Sequence, residues 1–350
     1  MSKSRKNNIP NYNPNPPVKK APVKTSFLDL MQDGREYQSI VGLNIAADLG
    51  TEMTRAMKDI AVIRNRPNIC YIANVLNPIV SNATSISIDN SDDTPFLEML
   101  KYIPLDVKDI DIILVTPGGS ADTVDYLVKK LRDRFDHVSF ILPYMAMSAG
   151  TIFCMSGDEL IMTEAGFFGP IDPQVPSKNG MYVPAQSLLT LISTIQTRGE
   201  EQIARHKKPD WTDIQILNNL DPKEIGNAIT ASRLSTTLVT NYLKSYKFRT
   251  WTNHSDGSQV TEEERNKRAM EIATQLCDNS LWLSHASRIT REMAKEICKL
   301  QVTFSEEIEG LDRAIKRFWA LMQITLENNF IAKIYSTGSY FLFRSVNIKK

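Results

Sequence analysis

The stretch ILPYMAMSAGTIFCMSGDELIM, residues 141–162, sets Ser148 among Ala146, Ala149 and Gly150, directly after an apolar run. Small side chains at such a point read first as a tight turn from a strand into a helix, where bulk does not fit. The same setting also holds a nucleophile at a helix start. What surrounds the stretch decides between the two.

Upstream, ICYIANV (69–75), DIDIILVT (109–116) and HVSFILP (137–143) are short apolar runs, and ELIMT (159–163) follows. Such runs read as buried strands. SADTVDYLVKKLRDRF (120–135) carries Val124, Leu127, Val128, Leu131 and Phe135 on one helical stripe. Pro95 suits the first turn of another helix, where its missing N–H costs nothing. Strands and helices alternating over short connections imply right-handed crossovers and a mostly parallel sheet over roughly 69–163. Helical spacing also runs through 42–65. Beyond the α/β stretch, 185–206, 222–248, 261–277, 290–300 and 306–327 read as helices, and the runs around Thr337-Gly338-Ser339 as a β-hairpin. The expected organisation is a tail (1–26), an α/β core (27–185), a helical extension of the same domain (186–328) and a C-terminal hairpin (329–350).

The tail is rich in Pro, Asn and Lys and has no periodicity, which predicts a disordered, mildly basic segment. It lacks the apolar core of a signal peptide. No apolar run approaches the ~20 residues of a membrane span, so no integral membrane segment is expected. A net charge of +1 gives no basis for a nucleic-acid partner. The four cysteines stand far apart, which fits buried reduced thiols in a cytoplasmic protein, with neither metal nor cofactor expected.

Two loops follow consecutive strands: TPGGS (116–120) and YMAMSAG (144–150). In an open parallel sheet, loops at the carboxyl ends of the strands share one crevice. Gly118 and Gly119 permit positive φ and free N–H groups, while the N–H groups after Ser148 carry the positive end of a helix dipole. A substrate carbonyl between them meets donors from both sides. A third loop, TEAGFFGPIDPQVPSKNG (163–180), is stiffened by Pro170, Pro173 and Pro176 and contains Asp172, either a local turn cap or a site residue.

With these residues in view, TPGGSADTVDYL, PYMAMSAGTIFCMSGDELIMTEAGFFGPIDPQ and their spacing resemble the serine dehydrogenase proteinase family, which groups with the Clp proteases and signal peptide peptidase A in the Clp/crotonase superfamily. The likeness is dense over 69–174 and weaker through LWLSHASRITREMAKEICKL (281–300). It implies a Clp/crotonase-like ββα-superhelix core, Ser148 as nucleophile, an oxyanion hole from Gly118, Gly119 and the N–H of Ala149, a peptide or protein substrate, and a homo-oligomer. It also bears on the proton acceptor. Lys178 lies at about the spacing where lysine-using relatives keep theirs. Asp172 occupies the stretch where Clp proteases have a histidine. Both are expected ahead of His206 and His285, which reach the site only by folding back from the helical half.

The leading expectation is an ATP-independent serine peptidase. A crotonase-like acyl-CoA enzyme and an inactive oligomeric scaffold are the alternatives. On the same reading, a β-branched residue at Gly119 is expected to lower turnover far more than stability.

Overall fold

The structure, a computed structural model, describes residues 49–176, 182–254 and 256–346. The expected tail (1–26) and Lys178 lie outside these residues. In chain order the helices are α1 (Leu49–Arg64), α2 (Pro78–Ala83), α3 (Asp93–Lys101), α4 (Ala121–Arg132), α5 (Ala149–Met155), α6 (Ala185–Ala204), α7 (Trp211–Asn219), α8 (Pro222–Tyr242), α9 (Glu262–Cys277), α10 (Asn279–Trp282), α11 (Arg291–Glu296) and α12 (Leu311–Asn328).

The strands are β1 (Asn68–Ala73), β2 (Asp109–Val115), β3 (His137–Leu142), β4 (Met145–Ala146), β5 (Glu159–Met162), β6 (Phe167–Phe168), β7 (Gln174–Pro176), β8 (Tyr182–Pro184), β9 (Ile289–Thr290), β10 (Thr303–Phe304), β11 (Ile331–Ser336) and β12 (Phe341–Ser345). The main sheet runs β10-β5-β3-β2-β1-β11-β12. From β10 to β1 every pairing is parallel; β11 and β12 add antiparallel strands on the far side.

Both faces of the sheet are covered, so its central strands are apolar without interruption. Alternate residues serve two cores. Tyr71, Ile112, Leu114, Phe140 and Leu160 face α3, α4 and α5. Ile72, Ile113, Val115, Ile141 and Ile161 face α1 and α12, through Met57, Ile60, Phe318 and Leu321. The C-terminal hairpin is therefore no appendage: β11 lies against β1, and α12 closes one face of the sheet.

Two small sheets sit beyond the carboxyl ends of the main strands. One is β4-β6-β9, and the other is the antiparallel pair β7-β8. In the first, Phe167 pairs with Thr290 and Phe168 with Ile289. That pairing draws the segment after α10 back onto the loop that follows β5. All four cysteines are buried and unpaired.

Candidate active site

Ser148 caps α5 with φ +52° and ψ −118°, a sparsely populated conformation for a residue with a Cβ. Such strain persists only where the surroundings over-determine it, and it is common at strand-to-helix turns that present a nucleophile. Here the surroundings are a short ladder. Thr116 N–H donates to the Met145 carbonyl at 2.9 Å, and Met147 N–H donates to the Thr116 carbonyl at 3.0 Å. Gly150 N–H donates to Met147 O at 2.7 Å, which starts the helix.

The glycine loop packs against this turn. A Cβ on Gly118 would sit 2.6 Å from Met147 O and 2.7 Å from the Ser148 Cβ, so no larger residue fits. Gly118 N–H donates to Thr116 Oγ1 at 3.1 Å, and its carbonyl accepts from Ile88 N–H at 2.7 Å. The sequence had grouped Gly118 with the oxyanion donors; its N–H is instead spent inside the loop. Gly119 (φ +146°) lies against the Ile88 backbone, with a Cβ there only 2.2 Å from Ile88 O. Among the described residues, the N–H groups of Gly119 and Ala149 have no acceptor. Ala149 is the first residue of α5, where helix N–H groups go unmatched.

The third loop is tied to the serine helix through Thr151. Its hydroxyl lies 2.9 Å from Ala146 O and 2.8 Å from Gly169 O, and accepts from Gly169 N–H at 3.1 Å. Ile171 N–H donates to Leu276 O at 2.8 Å. Asp172 follows and is fully buried. Its Oδ1 meets His285 Nδ1 at 2.8 Å, and Gln174 Nε2 reaches Oδ2 at 3.4 Å. His285, about a quarter exposed, lines the same cavity of about 530 Å³ as Ser148, Ala149 and Gly119. Ile152, Ile171, Tyr182 and Leu234 supply apolar wall, and Ser87 and Ser235 polar wall.

This arrangement differs from the expected one. Asp172 is not placed as a proton acceptor open to substrate; it is closed over by His285. The histidine nitrogen left open is Nε2. A buried carboxylate bonded to one ring nitrogen fixes the tautomer and leaves the other as a base. His137 bonds Arg66 at 2.9 Å from the far end of β3, and His206 does not line the cavity. Cys277 is no rival nucleophile, because burial, Asp172 and Asp278 push its thiol up to about 12. Among the described residues no group of His, Cys, Asp and Glu has the geometry of a metal site, and no helix is long and apolar enough to cross a membrane.

The pairing of His285 with Asp172 was legible only in part. The motif around Ser148 is local, whereas His285 arrives through the β6–β9 pairing. Its local signal was a lone histidine between Leu283, in a left-handed turn, and the two-residue strand that follows.

A parallel sheet flanked by helices, with a serine at a strained helix start beside a glycine loop, is a ClpP-like fold. Residues 44–206 match the family described as ClpP-like SDH-type serine proteinase. Two uncharacterized proteins of Methanocaldococcus jannaschii are 35% and 32% identical over 104 and 117 residues, which are 30% and 33% of this chain. The matches span about a third of those relatives, 33% and 37% of their length. Among solved structures, two variants of the 1510-N membrane-bound stomatin-specific protease, one in complex with a substrate peptide, are 17% and 18% identical, with TM-scores of 0.34 and 0.32. They cover 62% and 61% of this chain and 74% and 67% of their own. Ser148 and Asp172 fall inside the family match, and His285 falls outside it.

Proposed function

We propose that the protein is a serine peptidase in which Ser148 attacks the peptide carbonyl, His285 carries the proton and Asp172 orients the imidazole. The observation that carries this reading is the His285–Asp172 hydrogen bond in the wall of the cavity that holds Ser148. Ser148 Oγ attacks the carbonyl carbon as His285 Nε2 accepts its proton. The oxyanion takes the N–H groups of Gly119 and Ala149, donors already fixed where negative charge develops. The imidazolium then protonates the leaving amine, and the peptide C–N bond breaks. Water, deprotonated by the same nitrogen, hydrolyses the acyl-enzyme.

The substrate is a peptide or unfolded protein segment, since the cavity has an apolar wall and, among the described residues, no charge beyond Asp122 and the His285–Asp172 pair. The working form is a homo-oligomer in a reducing, cytoplasmic setting, which suits four buried free thiols. The test is covalent labelling by a fluorophosphonate. Wild type should label at Ser148, and Ser148→Ala should not. Labelling at another residue, or none in a folded wild-type protein, overturns the proposal.

A further inference from the structure

At the end of the main sheet away from Ser148, a second cavity of about 480 Å³ opens where β5 and β10 begin, at Glu159 and Thr303. Its floor is built by a single π-turn, Leu243–Lys247, closed by Phe248 N–H donating to Leu243 O at 2.8 Å. One residue beyond the α-helical repeat rotates Lys247 into the cavity wall. Such turns are rare and recur at functional sites.

The carboxylates around Lys247 are committed elsewhere. Asp158 accepts from Arg132 at 2.8 Å, from Arg249 at 2.7 Å and from Val138 N–H at 2.9 Å. Glu159 is bonded by Arg64, Ser139 and Thr303. Arg268 donates to Glu271 and to the Cys298 carbonyl. Among the described residues Lys247 Nζ has neither hydrogen bond nor ion pair, and its half-buried side chain lines the cavity. The cavity wall thus combines one unmatched ammonium, further cations in Arg268 and Lys299, and an edge-to-face pair of Phe248 and Trp251 with centroids 5.7 Å apart.

We propose that this cavity is a binding site for a small monoanionic carboxylate with an apolar body, its carboxylate on Lys247 and its body against Trp251 and Phe248. A carboxylate supplies the partner that Lys247 lacks, through a charge-assisted hydrogen bond held inside the cavity. A single negative charge suits the site, because a second would face Asp158 and Glu159. Burial holds Lys247 down to about 8, with Glu159, Asp158 and Cys154 acting to raise it; a bound anion would raise it further. This site lies at the amino ends of the parallel strands and shares no lining residue with the Ser148 cavity.

Isothermal titration of the full chain with benzoate, and separately with inorganic phosphate, tests the proposal. Benzoate should bind saturably at one site, and Ser148→Ala should bind it equally. Lys247→Met should weaken it by at least about tenfold, the loss of one charge-assisted bond, and Trp251→Leu should weaken it with Lys247 intact. No saturable binding by folded wild type, undiminished binding by Lys247→Met, or tighter binding of phosphate than of benzoate would each overturn it.

Discussion

Asp172 and His285 stand 113 positions apart in the chain, yet their side chains meet at 2.8 Å, with the carboxylate wholly buried and the imidazole open to the cavity. The first prediction concerns this pair. Asp172→Asn keeps the shape but lets the ring take the wrong tautomer. Labelling of Ser148 by fluorophosphonate should slow by about four orders of magnitude, and His285→Ala should slow it at least as much. Circular dichroism should show both variants folded. A wild-type rate in either would leave Ser148 without its base.

Gly119 gives a second prediction, and here the structure revises the expectation from sequence. With φ +146° and Ile88 O 2.2 Å from any added Cβ, substitution forces backbone to move. Gly119→Ala should therefore lose stability, by at least about 2 kcal/mol, along with activity. Chemical denaturation beside the labelling rate checks it; an unchanged midpoint would show that the loop yields freely.

Lys333 is the basis of a third. Its ammonium is fully buried, donating to Asp92 at 2.7 and 2.9 Å and to Ser87 O at 2.6 Å, while Tyr71 and Tyr335 donate to the same carboxylate. Burial and Asp92 push both phenols well above their ordinary range, so they remain donors. Lys333→Met leaves that carboxylate without its cation and should cost about 3–5 kcal/mol. Lys129→Met, which breaks an exposed pair with Asp125, should leave stability nearly unchanged. Similar urea midpoints for the two would contradict this account.

Lys247 sets a pH-dependent stability. Its folded value is lowered from 10.5 to about 8, with burial the largest cause. Between those values the unfolded chain binds more protons than the folded one, so this residue makes stability rise with pH across that window. Below about pH 8 the lysine is charged in both states and its burial cost is felt in full. Lys247→Met should therefore be more stable than wild type at pH 7, by up to about 3 kcal/mol, with the gap closing toward pH 10.5. Thermal melts at the two pH values measure it; a constant gap would argue that the ammonium is hydrated.

The fifth prediction is assembly. The 20-residue helix α6 buries only Ala185 and Ile195. Nearby in sequence, Ile203, Ile214 and Leu217 are exposed, and Trp211 is 74% exposed. Apolar surface of this kind is usual at subunit contacts. Light scattering at micromolar concentration should give a mass of several subunits, and Trp211→Lys with Ile214→Lys should reduce it. A wild-type monomer would remove the oligomer from the proposed function.

The α/β half was legible because its signals are local. The runs at 109–115 and 137–142 could hardly be anything but buried strands, and the stripe from Val124 to Leu131 faces the core as its spacing requires. Ser148 and the glycine loop were legible for the same reason. The two-residue strands β4, β6, β9 and β10 were not, since a strand of that length exists only through its partner and has no pattern of its own. The pairing of His285 with Asp172 was hidden for the same reason, because β9 is one of these. The position of β11 beside β1 rests on the same kind of long-range pairing, although the hairpin itself was plain from Thr337-Gly338-Ser339.

The β6–β9 pairing also imposes an order on synthesis. A ribosome making this chain releases Ser148, the glycine loop and Asp172 long before residue 285, and the pairing of Phe168 with Ile289 cannot form until both strands have emerged. Until then the serine has no imidazole beside it. Under the proposed mechanism the nascent chain is chemically silent, and hydrolytic competence arises only when the second half has folded back onto the first.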